Sequence, residues 1–355
     1  MNHFAAIGAK LKDRGLDAML VTSAPGEFYA AGFHGEGVAL ITPSKSWYWT
    51  DSRYIESAEQ EVASAAKVGM LTTGTTYRKL VAAVVEELGI KKIGFEDESM
   101  SVSTHKLWTD ALSVEWIPAS NLLTDLRMVK DADELAAMRE AQRVTDEAFT
   151  EILNYIKPGV TESEIAARLT YIMACKGAER NSFDPIVATG ANGSKPHAIP
   201  GADLIQPGQF ITMDFGCVVK GYCSDMTRTV CLGKPSEEME LVYNTVLKAQ
   251  LAAIDAIHGG VNGAEIHKIA DDIIVAAGYG GKMGHGLGHS LGIEVHESPR
   301  FSPAWNKPVP TGAFLSVEPG IYLPGKFGVR IEDVVMLTDD GCIDIANSPK
   351  NLIIL

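Results

Sequence analysis

From Asp131 onward the chain runs twice through the same order of elements, and that recurrence limits the folds open to it. A long amphipathic helix is predicted over DADELAAMREAQRVTDEAFTEILNYI, with Asp131 and Asp133 as caps and Glu134 in the first turn. It stops ahead of Lys157-Pro158-Gly159. A second helix, TESEIAARLTYIMACKG, opens on a capping box from Thr161 to Glu164 and ends at Gly177. Strands follow in DPIVATG, QFITMDFGCVV and GYCSDMTRTVCLG. Two further helices, over 237–258 and 262–277, precede another strand-rich stretch from Phe314 to Met336. Each pass of helix, helix and strands takes about a hundred residues, the scale of a duplicated unit. The passes share no evident identity. They read as a pseudo-twofold domain with a site where its halves meet.

Ahead of that region the pattern is different. A helix through Leu11 to Arg14 ends at Gly15, and AMLVT (18–22), VALIT (38–42) and SWYWT (46–50) are strand-like. YIESAEQEVASAA is helical, IGF (93–95) is a short strand, and HKLWTDAL (105–112) is helical again. Such alternation predicts an α/β domain. The composition changes near Leu126, so two domains are expected, 1–125 and 127–355, in a chain of 355 residues that is too long for one ordinary core. The charged pair in TDSRY (50–54) reads as a structural or interface feature.

Charge and composition exclude several classes. The formal net charge is −14 and no basic stripe offsets it, so a nucleic-acid partner is not expected. No stretch approaches the ~18 apolar residues of a membrane span. MNHFAAIGAKLKDRGLDAML lacks the apolar run of roughly 7–15 residues that a signal peptide needs, which points to the cytoplasm. Cys175, Cys217, Cys223, Cys231 and Cys342 show no C-x-x-C spacing and read as reduced thiols. Cys223 lies two residues before Asp225 and is expected to share its strand face.

The chemistry concentrates in a few places. In GHGLGHSLGIEVHE (284–297), His285 and His289 stand four apart, the spacing of two zinc ligands on a helix. Yet each glycine inside a helix costs roughly 1 kcal/mol relative to alanine, so this segment is not such a helix. Asp214 and Asp225 lie on two strands joined around Val219, Lys220 and Gly221; a two-residue Lys-Gly turn pairs residue 216 with 225 and puts both carboxylates on one side as diagonal neighbours. Paired carboxylates on a half-apolar sheet repel and are costly to desolvate, and a cation removes both penalties. Glu318 (FLSVEPG) and Glu332 (GVRIEDVVML) repeat the arrangement in Val/Ile-rich strands, with Arg330 placed to hold a neighbouring ligand. With His289 they make four carboxylates and one imidazole, enough for two divalent ions about 3.5–4 Å apart. Hard oxygen donors with a single nitrogen suit manganese, with zinc, cobalt or iron possible.

These residues together resemble the M24 pita-bread metallopeptidases, and within them the proline-peptidase branch of aminopeptidase P and prolidase. Positions 285–297 fit that branch's signature at every constrained place. The resemblance covers roughly 127–355 with specific motifs and 1–125 in outline, like the N-terminal domain of creatinase and prolidase. It implies an α+β fold: a C-terminal pita-bread domain with pseudo-twofold halves, preceded by a smaller α/β domain. It implies that Asp214, Asp225, His289, Glu318 and Glu332 hold two metal ions and that Glu318 also accepts a proton from the bridging hydroxide. His285, His296 and His197 (in SKPHAIP) resemble substrate-contacting histidines, His296 is placed to stabilise the tetrahedral oxyanion, and Arg330 resembles an arginine that supports the ligands. Arg300, in VHESPR, resembles an arginine that some prolidases use near the substrate carboxylate. The implied activity is hydrolysis of Xaa-Pro bonds in proline-containing peptides, by a homodimer, as a dipeptidase or else an aminopeptidase. A creatinase-like C–N hydrolase is the remaining alternative on this fold. A nucleotide-binding enzyme is not supported, because G-x-G-x-x-G is absent from residues 278–292 and no P-loop lysine follows.

Overall fold

In the computed structural model, which describes residues 2–355, the chain divides into two units, Met1–Arg127 and Met128–Leu355. The first unit is built on a six-stranded mixed sheet. Its strands are β1 (Ala18–Val21), β2 (Gly37–Ile41), β3 (Ser46–Thr50), β4 (Lys67–Met70), β5 (Lys92–Phe95) and β6 (Glu115–Pro118), in the order β4-β3-β2-β1-β5-β6. Every residue of β1 is buried, which fits its unbroken apolar run at the middle of the sheet. Six helices accompany it: α1 (Phe4–Leu11), α2 (Ala24–Ala31), α3 (Ile55–Glu61), α4 (Tyr77–Leu88), α5 (Val102–Thr109) and α6 (Ser120–Arg127). Helices α2, α4 and α6 lie outside those expected from the sequence. The first two carry ordinary N-caps, Ser23 accepting from the Gly26 N–H and Thr76 from the Lys79 N–H.

The second unit repeats itself as the element order suggested. Helices α7 (Ala132–Ile152) and α8 (Glu162–Cys175) each start in a complete capping box, from Asp131 to Glu134 and from Thr161 to Glu164. Next come β7 (Arg180–Asn181), β8 (Ile186–Thr189), β9 (Gln209–Phe215), β10 (Cys217–Val219), β11 (Tyr222–Cys223) and β12 (Met226–Leu232). The second pass holds α9 (Glu237–Asp255), α10 (Gly263–Ile274), β13 (Gly288–Ser290), β14 (Glu297–Phe301), β15 (Phe314–Val317), β16 (Gly320–Leu323), β17 (Phe327–Arg330), β18 (Asp333–Leu337) and β19 (Cys342–Asp344). Each pass has its own apolar core. Val144, Phe149, Ile165, Leu169, Met213 and Val230 pack in the first, and Val246, Ile266, Ala270, Leu315, Val317 and Val335 in the second.

The central hairpin has the expected register. Lys220 (φ 51) and Gly221 (φ 76) form a two-residue turn, with Val219 opposite Tyr222 and Phe215 opposite Met226. The strands are not continuous, however. The ladder breaks at Gly216 and again at Ser224-Asp225, so β10 and β11 leave for a small sheet with β7 while β9 and β12 stay with β8. Asp225 therefore sits in a break, and the expected sharing of a strand face with Cys223 does not describe it. Cys223 is buried with its thiol toward the Ile293 carbonyl.

Arg228 joins the two passes. Its side chain is 1% exposed, and each of its five N–H groups has a carbonyl or carboxylate acceptor: Pro349, Thr227, Glu332 and Ser348 through backbone oxygens, and Asp333 Oδ1 at 2.6 Å. Asp333, fully buried, also receives Gln250 Nε2 at 2.7 Å and Lys350 Nζ at 2.8 Å. Among the described residues no helix is long and apolar enough to cross a membrane.

Removing one partner of such a buried pair strands the other. Arg228→Met is expected to lower unfolding stability by about 3–5 kcal/mol, measured by urea denaturation. A loss below about 1 kcal/mol, the worth of an exposed pair, would mean that the contact carries little of the domain's stability.

Candidate active site

The five residues expected to hold metal come from both passes. Asp214 stands near the end of β9, and Asp225 in the break before β12. His289 is the middle residue of β13, Glu318 directly follows β15, and Glu332 fills the gap between β17 and β18. Three of the four carboxylates thus sit where a strand has just stopped, rather than within one. Two backbone bonds fix these ends: Glu318 N–H donates to Leu287 O at 2.8 Å, and Glu332 N–H to Thr227 O at 3.1 Å. The second bond carries the ladder of one pass to the other. Gly288 permits β13 to lie this close to β15, since a Cβ there would fall 1.9 Å from Ser316 O. At that position the glycine admits a neighbouring strand, not a ligand.

These elements bring the side chains together. Asp225, His289 and Glu332 each offer a donor atom, and the three atoms lie within 4.8 Å of one another. His289 Nε2 is 3.3 Å from Glu318 Oε1 and 3.7 Å from Asp225 Oδ2. The ring is held from behind: Nδ1 donates to Ser290 O at 3.2 Å, which leaves Nε2 facing the carboxylates. Asp214 Oδ2 accepts from Arg330 Nη2 at 2.5 Å. The other carboxylate oxygens of Asp214 and Asp225, both Oδ1, are buried without a hydrogen-bond donor among the described residues. Buried acceptors left in this condition are costly unless a cation meets them.

Proton affinities follow from that crowding. Burial pushes Asp225 well above the usual carboxylate range, and the charge of Asp214 pushes it further. Glu332 rises in the same way, first by burial and then through Asp225. Asp214 is raised by burial, with Arg330 pulling back. Burial would raise Glu318 too, but the hydrogen bond from His289 brings it down to about 2. His289, which burial alone would lower, is lifted to about 9 by that same bond. The cluster is short of positive charge, and it takes up protons where it can.

Residues not anticipated from the sequence complete the frame. Thr227 donates from Oγ1 to Glu332 Oε2 at 2.6 Å and accepts from Arg330 Nε at 3.0 Å. Ser316 Oγ links the His289 N–H to Glu318 Oε1. Tyr322 Oη accepts from Arg330 Nη1 at 2.8 Å and lies 3.0 Å from His285 Nε2. Position gave a clue only for Thr227, two residues beyond Asp225 on the strand that follows. Tyr322 and Ser316 gave none, because neither hydroxyl differs in sequence from one in any sheet.

The remaining expected residues surround this cluster. His285 Nδ1 donates to Gly286 O at 2.7 Å, so Nε2 is the acceptor of the Tyr322 hydroxyl. Both ring nitrogens are thereby engaged, and His285 can donate to a ligand only by giving up a partner. His296 is exposed, its ring edge-on to His289 at 4.4 Å, and neither nitrogen has a hydrogen-bond partner among the described residues. Partial desolvation beside the cluster, and then the His289 charge, hold its pKa below the ordinary histidine value. Arg300 is exposed on β14 opposite His289 in register, and its charge is felt by His296. His197 is exposed on a loop whose charge reaches both His285 and His296. Buried Glu162 clamps that loop by accepting from Thr189 N–H, Asn192 Nδ2 and Gly201 N–H, while Arg330 Nη1 donates to Pro196 O.

The excess of buried negative charge has a stability consequence. In protein stripped of divalent ions by a chelator, Asp225→Asn or Glu332→Gln is expected to raise stability at pH 7 by about 1–3 kcal/mol, the usual cost of a buried polar group left unsatisfied. The folded pKa values are raised, so the wild-type penalty is absent below the unfolded carboxylate range near pH 4 and grows as pH rises through the folded values. The melting-temperature gap between variant and wild type should therefore widen from about pH 4 to pH 7. A gap that narrows over that range would show that the carboxylates are compensated within the protein.

Comparison with known proteins agrees with this architecture and chemistry. Residues 136–339 match the model of metallopeptidase family M24, and residues 4–129 match the creatinase/prolidase N-terminal domain. An Xaa-Pro dipeptidase from Pyrococcus horikoshii is 31% identical over 95% of each chain. Among solved structures, the Xaa-Pro dipeptidase from Bacillus anthracis superposes with a TM-score of 0.95 at 38% identity over 99% of both chains. The X-Pro aminopeptidase from Thermotoga maritima superposes with a TM-score of 0.92 at 36% identity, covering 96% of this chain and 98% of that one. M24 enzymes use divalent metals, and the acidic and histidine cluster is one that could bind them. With a family match over more than half its length, this chain belongs to metallopeptidase family M24.

Proposed function

We propose that the chain is a two-metal exopeptidase that hydrolyses the bond between an N-terminal residue and proline, acting foremost on Xaa-Pro dipeptides. The observation that carries this reading is the convergence of Asp225, His289 and Glu332 within 4.8 Å, beside Glu318 and the donorless oxygens of Asp214 and Asp225. Four carboxylates and one imidazole fit hard divalent cations, manganese first, with zinc, cobalt and iron as alternatives. Such ions supply Lewis acidity to the scissile carbonyl and lower the pKa of the attacking water. Asp214, Asp225, His289, Glu318 and Glu332 would hold them, and Arg330 fixes Asp214 from behind.

The protein's own groups do the rest. Glu318 takes the proton that the attacking water gives up. His296, with no hydrogen-bond partner among the described residues, donates an N–H to the carbonyl oxygen as negative charge builds there. His197 and Arg300 meet the substrate from opposite segments of the rim, and His285 lines the site through Tyr322. A bond to proline lacks the amide N–H that ordinary peptidases use, so recognition falls to a pocket shaped for the ring. In this reading the enzyme works as a cytoplasmic homodimer.

Two relatives' names point in different directions on substrate length, one an Xaa-Pro dipeptidase and one an X-Pro aminopeptidase. Arg300 favours the dipeptidase. It is exposed in register with His289, and a guanidinium can grip a free carboxylate through two parallel hydrogen bonds.

Two measurements test the reading. Manganese-loaded protein should hold about two ions per chain, as two-metal hydrolases do, and Glu332→Ala should lose at least one with its activity. His296→Ala should keep both ions and lose kcat by roughly 10²–10³-fold, the size of one oxyanion donor. A metal-free His296→Ala protein would exchange the roles given to the two histidines. For substrate length, Arg300→Ala should cost about 2–4 kcal/mol of kcat/KM on Xaa-Pro dipeptides and far less on Xaa-Pro-Xaa tripeptides. Wild-type enzyme that cleaves tripeptides much faster than dipeptides is an aminopeptidase instead.

A further inference from the structure

Lys130 and Glu297 form an ion pair closed to solvent, with side chains 1% and 5% exposed and Nζ 3.2 Å from Oε2. No step described above uses either residue. The same ammonium donates to Ser290 Oγ at 3.3 Å, and Glu297 Oε1 accepts the Glu294 N–H at 3.1 Å. Ser290 and Glu297 are partners across the irregular pairing of β13 with β14. They bracket residues 291–296, a segment with His289 just before it and His296 at its end. Lys130 is itself anchored, its N–H donating to Gly312 O at 3.2 Å. One buried ammonium thus ties the two ends of the segment that separates the two histidines.

The energetics argue that this arrangement does more than stabilise. A buried ion pair must offset the desolvation of both charges, and an apolar pair of similar volume often serves stability as well or better. What the pair supplies is direction: a charged, hydrogen-bonded anchor admits one geometry. His296 needs such an anchor, because no hydrogen bond among the described residues holds its ring and its side chain is exposed. Its place opposite His289 depends on the backbone of 291–296.

We propose that Lys130, acting through Glu297 and Ser290, is a positioning residue that sets His296 over the reacting carbonyl. The proposal rests on the reading of His296 as donor to that carbonyl. Its test is a double-mutant cycle on manganese-loaded, full-length enzyme with an Xaa-Pro dipeptide: Lys130→Met and Glu297→Gln, each in the wild-type and His296→Ala backgrounds. Kinetics, metal content and melting temperature are read for every variant. Lys130→Met in the wild-type background should lower kcat about 10- to 100-fold, the range of a lost supporting contact, with KM little changed and both metal ions kept. In the His296→Ala background the same substitution should cost less than about twofold, because the group it positions is gone. Should Lys130→Met not fold, Glu297→Gln, which keeps volume and an acceptor, should show the same non-additive loss. Equal losses in both backgrounds, or activity lost together with metal, would overturn the proposal and leave His296 as donor intact. A His296→Ala enzyme at the wild-type rate would instead sink the parent reading, and this one with it.

Discussion

The architecture of the second unit is organised around a shortage of positive charge. Asp214, Asp225, Glu318 and Glu332 converge in a buried cluster, and the positive groups in direct contact with it are the Arg330 guanidinium and the His289 ring. Burial of a lone carboxylate costs several kcal/mol even after relaxation, so four together need both cations and a rigid frame. The frame is visible in detail. Arg330 contacts Asp214, Thr227 and Tyr322 at once, Thr227 passes a hydrogen bond to Glu332, and Ser316 does the same between His289 and Glu318. Each contact fixes an atom whose charge would otherwise drive it apart from its neighbours.

That frame is possible because the two passes meet edge to edge. Each buries its own apolar core under its own helix pair, and each leaves a strand end at the junction. Arg228 and Asp333 lock the junction one residue away from Thr227 and Glu332, with every donor of the guanidinium satisfied. Structural and chemical charge are thus kept in separate networks on neighbouring residues. The structural pair is complete within the protein; the site's carboxylates are not, and that difference leaves the second set able to take up cations.

Breaks in the strands are the means of aiming these groups. Within a strand, successive side chains alternate between faces, and a carboxylate's direction is settled by the pleat. Asp225, Glu318 and Glu332 escape that constraint by standing just outside regular strands, and single backbone hydrogen bonds at Glu318 and Glu332 retain the register. The sequence places both glutamates inside Val/Ile-rich strands, whereas Glu318 directly follows one strand and Glu332 directly precedes another. Neighbouring apolar residues reveal that a carboxylate is buried, but not that the ladder stops beside it.

Much of this was legible in the chain itself. The repeated helix pair, the cap at Asp131, the capping box from Thr161 to Glu164, the Lys220-Gly221 turn and its pairing register follow from local rules that act over a few residues. The unhelical nature of 284–297 followed from its glycines, and the motif's resemblance pointed to M24. Tertiary structure alone decided the rest. That Arg330 serves Asp214, that Tyr322 occupies His285, that Lys130 reaches Glu297 across more than a hundred and sixty residues: each depends on strands distant in sequence being laid side by side. A hydrogen bond of this kind leaves no periodicity and no spacing in the sequence, because only the fold brings its two ends together.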